Sequence, residues 1–364
     1  MNANRKIRVL VVEDSAVVRE LLCHIIEQDP RLEVAAAVTN AEEAIRKLPE
    51  LKPDVISLDI RLPGMNGLDA TLEIMSSYPT PIVVVAANVE CDELNIAMNA
   101  LKAGALTVVE KPVGITHADY QAMSDNLRRQ LTIMSEVKVL RQAKRRGLAF
   151  APVAEAPEIQ PGPAQPAGPL NLPVMLGIAA STGGPSAVSQ VLAGLGKNFP
   201  LPILLVQHMT DSFLPGFISW LSDTCPLEAR IAETGEAPRP GVVYAPPADR
   251  HLTLKSGLLY LSKDPLVSGQ RPSGTVLFNS MAQELGRNGI GLVLTGMGDD
   301  GAAGLLRMRE AGAYTLAEDK TTAVVYGMPA AAAQLGAVRE ILPLDAIAQR
   351  IHDLVGNLRN GGRP

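Results

Sequence analysis

Aromatic residues are scarce, only 3% of 364 positions. That argues against an aromatic stacking platform for single-stranded nucleic acid. Cysteine is scarce too. Cys23, Cys91 and Cys225 lie far apart with no C-x-x-C pair. This spacing argues against a disulfide framework or a thiolate zinc site and fits a reducing cytoplasm. No apolar run approaches the ~18 residues of a membrane span, so no membrane insertion is expected. The opening "MNANRKIRVLVVED" starts basic and then turns apolar, as a signal peptide would. Arg8 interrupts that run and Glu13-Asp14 ends it, so the reading is a soluble, unexported, cytoplasmic protein. Nor does one sign of charge dominate. The formal net charge of −5 argues against a chain-wide grip on nucleic acid or anionic lipid.

What is present is an ordinary globular mix, 47% hydrophobic and 20% charged. At 364 residues, two domains are the first expectation. The stretch 151–173 holds Pro152, Pro157, Pro161, Pro163, Pro166, Pro169 and Pro173, with Glu155 and Glu158 as its only charges. Proline stiffens φ and removes backbone donors, so this stretch reads as an extended connector. Residues 1–150 carry 18 Lys+Arg against 20 Asp+Glu, and residues 171–364 carry 15 against 16. Neither half is basic enough to read as a DNA-binding domain. The one basic cluster, Lys138, Arg141, Lys144, Arg145 and Arg146, reads as a solvated helix end. No internal repeat is visible.

In the front half, Ile7–Val12, Val34–Val38, Asp54–Leu58, Pro81–Val85 and Leu106–Val109 read as strands. Ser15 reads as an N-cap ahead of a helix with Val18, Leu21, Leu22, Ile25 and Ile26 on its apolar face. Residues 121–140 repeat Met123, Leu127, Leu131, Met134 and Leu140 at helical spacing. Five strands with intervening helices imply a doubly wound parallel sheet, whose ligands bind beyond the carboxyl ends of the strands. Glu13-Asp14, Asp59 and Lys111 all fall at such ends. Packed carboxylates repel unless a cation joins them, and oxygen ligands suit Mg²⁺. Lys111 can serve as a point charge for phosphate oxygens. A carboxylate held there can attack a phosphoryl group.

"VVED", "DVISLDIRLPGMNG" and "EKP", in this order, resemble the receiver domain of two-component response regulators over about residues 5–125. The resemblance implies a flavodoxin-like fold with Asp59 as phosphoacceptor. It implies Mg²⁺ held by Asp14 and Asp59 directly, by Glu13 through water and by the Arg61 carbonyl, with Lys111 on the phosphoryl group. Two positions depart from the pattern. Ala86 stands where most receivers have Ser or Thr, and Val108 stands where they have an aromatic. A methyl cannot donate a hydrogen bond to phosphate, and valine cannot swing as tyrosine does. A weak or unconventional switch is therefore expected.

The back half opens with the apolar run Val174–Ala180, then "STGGP" and a helical stretch. From local sequence this can be a nucleophile loop, a phosphate-cradling loop or a plain turn. It is neither a Walker A motif nor a G-x-S-x-G elbow, because Ala179 sits two before Ser181. The run Pro202–Val206 leads into "QHM", placing His208 at a strand end. Ile290–Leu294 leads into "TGMGDDGAAG", bringing Asp299 and Asp300 to another. Of the other histidines, His24 and His352 fall in helical patterns, His117 in a loop, and His251 at a turn before a strand. One Ser, one His and one Asp at successive strand ends suit nucleophile, base and orienting acid.

"GIAASTGGP", "LLVQHM", "RPSGTVLFNS" and "LTGMGDDGAAG" together resemble the chemotaxis protein-glutamate methylesterase (CheB) family, over nearly the whole chain. The resemblance implies a receiver over 1–125, a helical extension and Pro-rich linker over 126–173, and an α/β Rossmann-like methylesterase domain over 174–358. It implies Ser181 as nucleophile, His208 as base and acid, and Asp300 rather than Asp299 as the orienting carboxylate. Thr182 and Met297 would line the site, the latter stabilising an oxyanion through its backbone. Substrates would be methyl-accepting chemoreceptors, whose glutamate methyl esters are hydrolysed and certain glutamines deamidated. A chemotaxis histidine kinase would be the phosphodonor, and the unphosphorylated receiver would cover the esterase site. Gly274-Thr275 departs from the family's usual apolar residue followed by Asp. Two further readings stay open at this level: a signalling adaptor with a silent back half, and a DNA-binding response regulator, which the near-neutral back half disfavours.

Overall fold

The computed structural model describes residues 5–86, 91–112, 117–137, 139 and 174–360. The connector, the basic cluster and Leu140 lie outside the described residues.

The front half alternates β1 (Ile7–Val12), α1 (Ala16–Glu27), β2 (Leu32–Val38), α2 (Ala41–Leu51), β3 (Val55–Asp59), α3 (Gly67–Ser77), β4 (Ile82–Ala86), α4 (Cys91–Lys102), β5 (Thr107–Glu110) and α5 (His117–Met134). The sheet is parallel, in the order β2-β1-β3-β4-β5. All five expected strands form, with three of them displaced by one residue. Their β-branched runs bury on both faces, as strands covered by helices on each side must. Leu22, Ile25 and Ile26 of α1 pack with Leu127, Leu131 and Met134 of α5 in one buried cluster. Each such side chain contributes about 1.5–3 kcal/mol of burial. The front core thus continues along α5 to Met134. Ser15 occupies the N-cap of α1 without a side-chain capping bond. Its N–H instead donates to Glu13 Oε1 at 3.3 Å. His117 begins α5 rather than sitting in a loop.

The back half runs β6 (Met175–Ala180), α6 (Gly184–Leu195), β7 (Ile203–Gln207), α7 (Leu214–Thr224), β8 (Glu228–Ile231), β9 (Val242–Ala245), β10 (His251–Lys255), β11 (Leu258–Ser262) and α8 (Gly274–Leu285). There follow β12 (Gly289–Val293), α9 (Ala302–Glu310), β13 (Tyr314–Glu318), α10 (Met328–Gln334), β14 (Glu340–Leu342) and α11 (Leu344–Asn360). Seven strands form a parallel sheet in the order β14-β13-β12-β6-β7-β9-β8, and β10-β11 is a separate antiparallel hairpin. The first strand, β6, lies inside the sheet. The chain winds first to one side of it through β7 and then to the other through β12. That reversal opens a crevice beyond the carboxyl ends of β7, β6 and β12. His251, expected at a turn, is instead the first residue of β10 and fully buried. Its Nε2 bonds the Pro265 carbonyl at 3.1 Å, and its Nδ1 accepts the Ser273 N–H at 3.3 Å.

The halves pack through α4, which lies on α6 and α7. Met98 and Leu101 share a continuous buried cluster with Phe217 and Trp220. The Trp220 indole N–H donates to Asn99 Oδ1 at 3.2 Å, and Ser212 Oγ donates to Glu110 Oε2 at 3.0 Å. Among the described residues, no helix is long and apolar enough to cross a membrane.

Candidate functional site

Two constellations stand at the carboxyl ends of the two sheets. In the front half, Glu13, Asp14 and Asp59 each offer a carboxylate oxygen, and these oxygens lie within 4.8 Å of one another. Lys111 reaches across from the end of β5, its Nζ 2.8 Å from Asp59 Oδ2 and 2.9 Å from Glu13 Oε2. The Arg61 N–H donates to Asp59 Oδ1 at 3.2 Å. Burial pushes the carboxyls of Asp59 and Glu13 up, and Lys111 only partly offsets this. Burial would push the Lys111 ammonium down, but Asp59 and Glu13 more than offset it. Such an all-oxygen set, short of positive charge, fits a hard divalent cation. Ala86 ends β4 one residue beyond the partner of Asp59 in the sheet, and its carbonyl accepts the Lys111 N–H at 2.9 Å. Its methyl is buried there in place of a hydroxyl.

In the back half, Ser181 follows β6, His208 follows β7 and Asp300 lies in the loop after β12, so three neighbouring strands aim them at one crevice. The turn after β6 is tightly held. Ser181 N–H donates to the Thr295 carbonyl at 3.0 Å, and the Ser181 carbonyl accepts Gly184 N–H at 2.8 Å. Gly183 has φ +78, and a Cβ there would sit 2.6 Å from Val324 Cβ, so only glycine fits. Gln207 ties serine to histidine: its Nε2 donates to the Ser181 carbonyl at 2.8 Å and the His208 carbonyl at 3.0 Å.

His208 Nε2 lies 2.8 Å from Asp300 Oδ2. Asp300 is 2% exposed and takes three further donors from the start of α8: Ser273 Oγ at 2.5 Å, Gly274 N–H at 2.7 Å and Thr275 N–H at 3.1 Å. Burial alone would raise its carboxyl. The His208 bond, with those from Ser273 and Thr275, overcomes that and holds the pKa at about 2. The departure at Gly274-Thr275 now has a local account. The Thr275 hydroxyl accepts the Gly301 N–H at 2.8 Å, and Gly274 leaves room for the Ala179 methyl. Asp299 is exposed and takes no part in this cluster.

Ser181, Thr182 and His208 line a cavity of about 380 Å³ whose opposite wall is the front half, with Val108, Met123 and Arg129. Met297 is 46% exposed on the loop between Thr295 and Asp300, and among the described residues no acceptor meets its N–H. Sequence reasoning passed over Gln207, Ser273, Thr295 and Glu318. Ser273 carried a signal, because a serine ahead of an apolar helical run is an N-cap, and its side chain does cap α8. Glu318 carried one too, as an acid ending a strand.

Comparison with known proteins follows the same division. Residues 176–351 match the family described as CheB methylesterase, and residues 9–120 match the response regulator receiver domain. A protein-glutamate methylesterase/protein-glutamine glutaminase of Paramagnetospirillum magneticum is 60% identical over 96% of this chain and 98% of its own length. One from Nitrosospira multiformis is 42% identical over 96% of this chain and 97% of its own. The crystal structure of the Thermotoga maritima CheB methylesterase catalytic domain is 36% identical, covering 50% of this chain and 99% of that one at a TM-score of 0.49. With likeness of this degree running through both halves, the chain belongs to the protein-glutamate methylesterase/protein-glutamine glutaminase family of receiver-linked enzymes.

Proposed function

We propose that the back half is a serine hydrolase in which Ser181 is the nucleophile, His208 the general base and then acid, and Asp300 the orienting carboxylate. The chain is a chemotaxis response regulator that hydrolyses glutamate methyl esters and deamidates glutamines on chemoreceptors. The observation that carries the mechanism is the 2.8 Å His208–Asp300 bond in the wall of the crevice that holds Ser181.

The steps follow from that bond. With Nε2–H committed to Asp300, Nδ1 is the nitrogen left to take the serine proton. Ser181 Oγ attacks the ester carbonyl carbon as His208 accepts that proton. The imidazolium then faces a carboxylate that remains ionised down to about pH 2. In this reading the Met297 N–H, which meets no acceptor among the described residues, is the oxyanion donor, because Gly184 N–H is taken by the Ser181 carbonyl and Pro185 has none. Collapse expels methanol, which takes its proton from His208, and leaves an acyl-serine. Water activated by His208 cleaves this, freeing the serine and a glutamate carboxyl. A glutamine side chain follows the same route with ammonia as leaving group. A positioned base supplies roughly 10²–10⁴-fold. An oxyanion donor is worth about 2.7–4 kcal/mol.

In the receiver, Asp59 accepts the phosphoryl group from a chemotaxis histidine kinase, and Lys111 pairs with its oxygens. Glu13, Asp14, Asp59 and the Arg61 carbonyl would hold Mg²⁺, which neutralises charge on the transferring phosphoryl group when bound. The unphosphorylated receiver restricts access to Ser181. The front-half wall of the catalytic cavity and the Glu110–Ser212 contact support this.

The test is methanol release from methylated receptor, for wild type and Ser181→Ala, each with and without Asp59→Ala. Ser181→Ala should lose on the order of 10⁴-fold or more in rate. Full methanol release by that variant refutes the nucleophile assignment.

A further inference from the structure

Among the described residues four carboxylates are buried: Glu13, Asp59, Asp300 and Glu318. The chemistry above uses the first three. Glu318 ends β13, is 0% exposed and reaches neither Ser181 nor the cavity. Its Oε2 accepts the Thr295 N–H at 2.8 Å.

The other polar groups of Thr295 hold the backbone around the nucleophile turn. Its carbonyl accepts the Ser181 N–H at 3.0 Å. Its hydroxyl donates to the Thr182 carbonyl at 2.9 Å and accepts the Val325 N–H at 2.9 Å. The next residue, Gly296, lies so close to the nucleophile turn that a Cβ on it would meet Ser181 Cβ at 2.7 Å and Ser181 N at 3.1 Å. The same loop continues through Met297 to Asp300. The Glu318 carboxylate thus anchors the residue that fixes the Ser181 peptide, at the root of the loop that carries the oxyanion donor and the orienting acid.

We propose that Glu318 is a positioning residue, which by holding the Thr295 backbone sets the Ser181 turn and the 295–300 loop in the geometry of attack. The proposal rests on Ser181 being the nucleophile. Glu318 is costly to keep. Burial pushes its carboxyl up to about 7, against the Thr295 N–H that draws it down. A carboxyl raised above its unfolded value destabilises the fold once pH exceeds that unfolded value. Removing the acid at pH 8 relieves that penalty but leaves the buried Thr295 N–H without an acceptor, so the two effects offset in stability while the site loses its anchor. Turnover should therefore fall with little loss of stability, which a purely structural role does not produce.

The experiment uses the full chain with methylated receptor membranes at pH 8, measuring kcat, KM and thermal unfolding. Glu318→Met keeps the volume and deletes the acceptor. Its kcat should fall about 10–100-fold with KM within about twofold, while the unfolding temperature changes little. Glu318→Gln keeps a carbonyl acceptor, and its kcat should stay within about threefold of wild type. Glu318→Asp keeps the charge and withdraws the acceptor by one methylene, and should lose kcat as Met does. It serves as the second variant should Met fold poorly. Wild-type kcat in folded Met or Asp variants overturns the proposal. So does a loss in Gln as large as that in Met. Ser181→Ala, run alongside, separates the two readings. Full activity in that variant removes the nucleophile assignment, whereas an inactive Ser181→Ala beside a fully active Glu318→Met removes only the role of Glu318.

Discussion

Gly274→Ala is a substitution for which two physical effects predict opposite signs. Gly274 is the first residue of α8 and its φ is not left-handed, so the backbone accepts alanine. Propensity alone would stabilise the helix by up to about 1 kcal/mol. Sterics oppose it. The new Cβ would stand 2.6 Å from Ala179 Cβ, 3.4 Å from Gly301 Cα and 3.5 Å from Asp300 Oδ2. Ala179 is on β6 between β7 and β12, with no flexible end to swing aside. Relief needs a shift of roughly 1 Å to reach ordinary carbon contact. Overpacking of this kind costs about 1–3 kcal/mol, so sterics win. The shift also draws the Gly274 N–H away from Asp300 Oδ2, now 2.7 Å distant, which is the oxygen His208 shares. Misplacement on this scale can cost ~10²-fold in rate. Thermal unfolding and methanol release of Gly274→Ala, Ala179→Gly and the double variant form the assay. The double variant should regain most of both losses, giving a coupling of about 1–2 kcal/mol. Additive effects, or a more stable Gly274→Ala, would refute the reasoning.

Three other outcomes are expected. Asp300, held at about 2 against an ordinary 3.8, contributes about 2–3 kcal/mol above pH 4 that is lost as pH falls toward 2. Urea unfolding of wild type and Asp300→Asn should converge by about that amount over this range, and a pH-independent gap would count against it. Phosphorylating Asp59 with a small acyl phosphate should activate esterase turnover only weakly, because Ala86 offers no hydroxyl. Ala86→Thr combined with Val108→Tyr should enlarge the response, and a large activation in the wild type refutes the inference. A chain beginning near Leu170 should release methanol faster than the full chain, since it lacks the front-half wall of the cavity. Equal rates would argue that the receiver does not restrict access.

Much of this protein was legible in one dimension, and the reason is periodicity. β-Branched runs alternating with helical stretches can only become a parallel sheet covered on both faces, and its ligands gather at carboxyl ends. Asp59, Ser181, His208 and the pair Asp299-Asp300 were therefore legible as polar residues at the ends of apolar runs, and the family resemblance singled out Asp300 from that pair. Local rules placed His117 and His251 wrongly, because helix starts and hairpin strands carry weak signals in single sequences. Only the tertiary structure could set β6 between β7 and β12, which turns strand ends separated by about a hundred residues into neighbours. Only it could show that Ser273, Gly274 and Thr275 surround Asp300, or that Glu318 lies beneath Thr295. Hydrogen-bond partners of this kind depend on distance in space. A sequence records the donor and the acceptor, and folding alone decides that they meet.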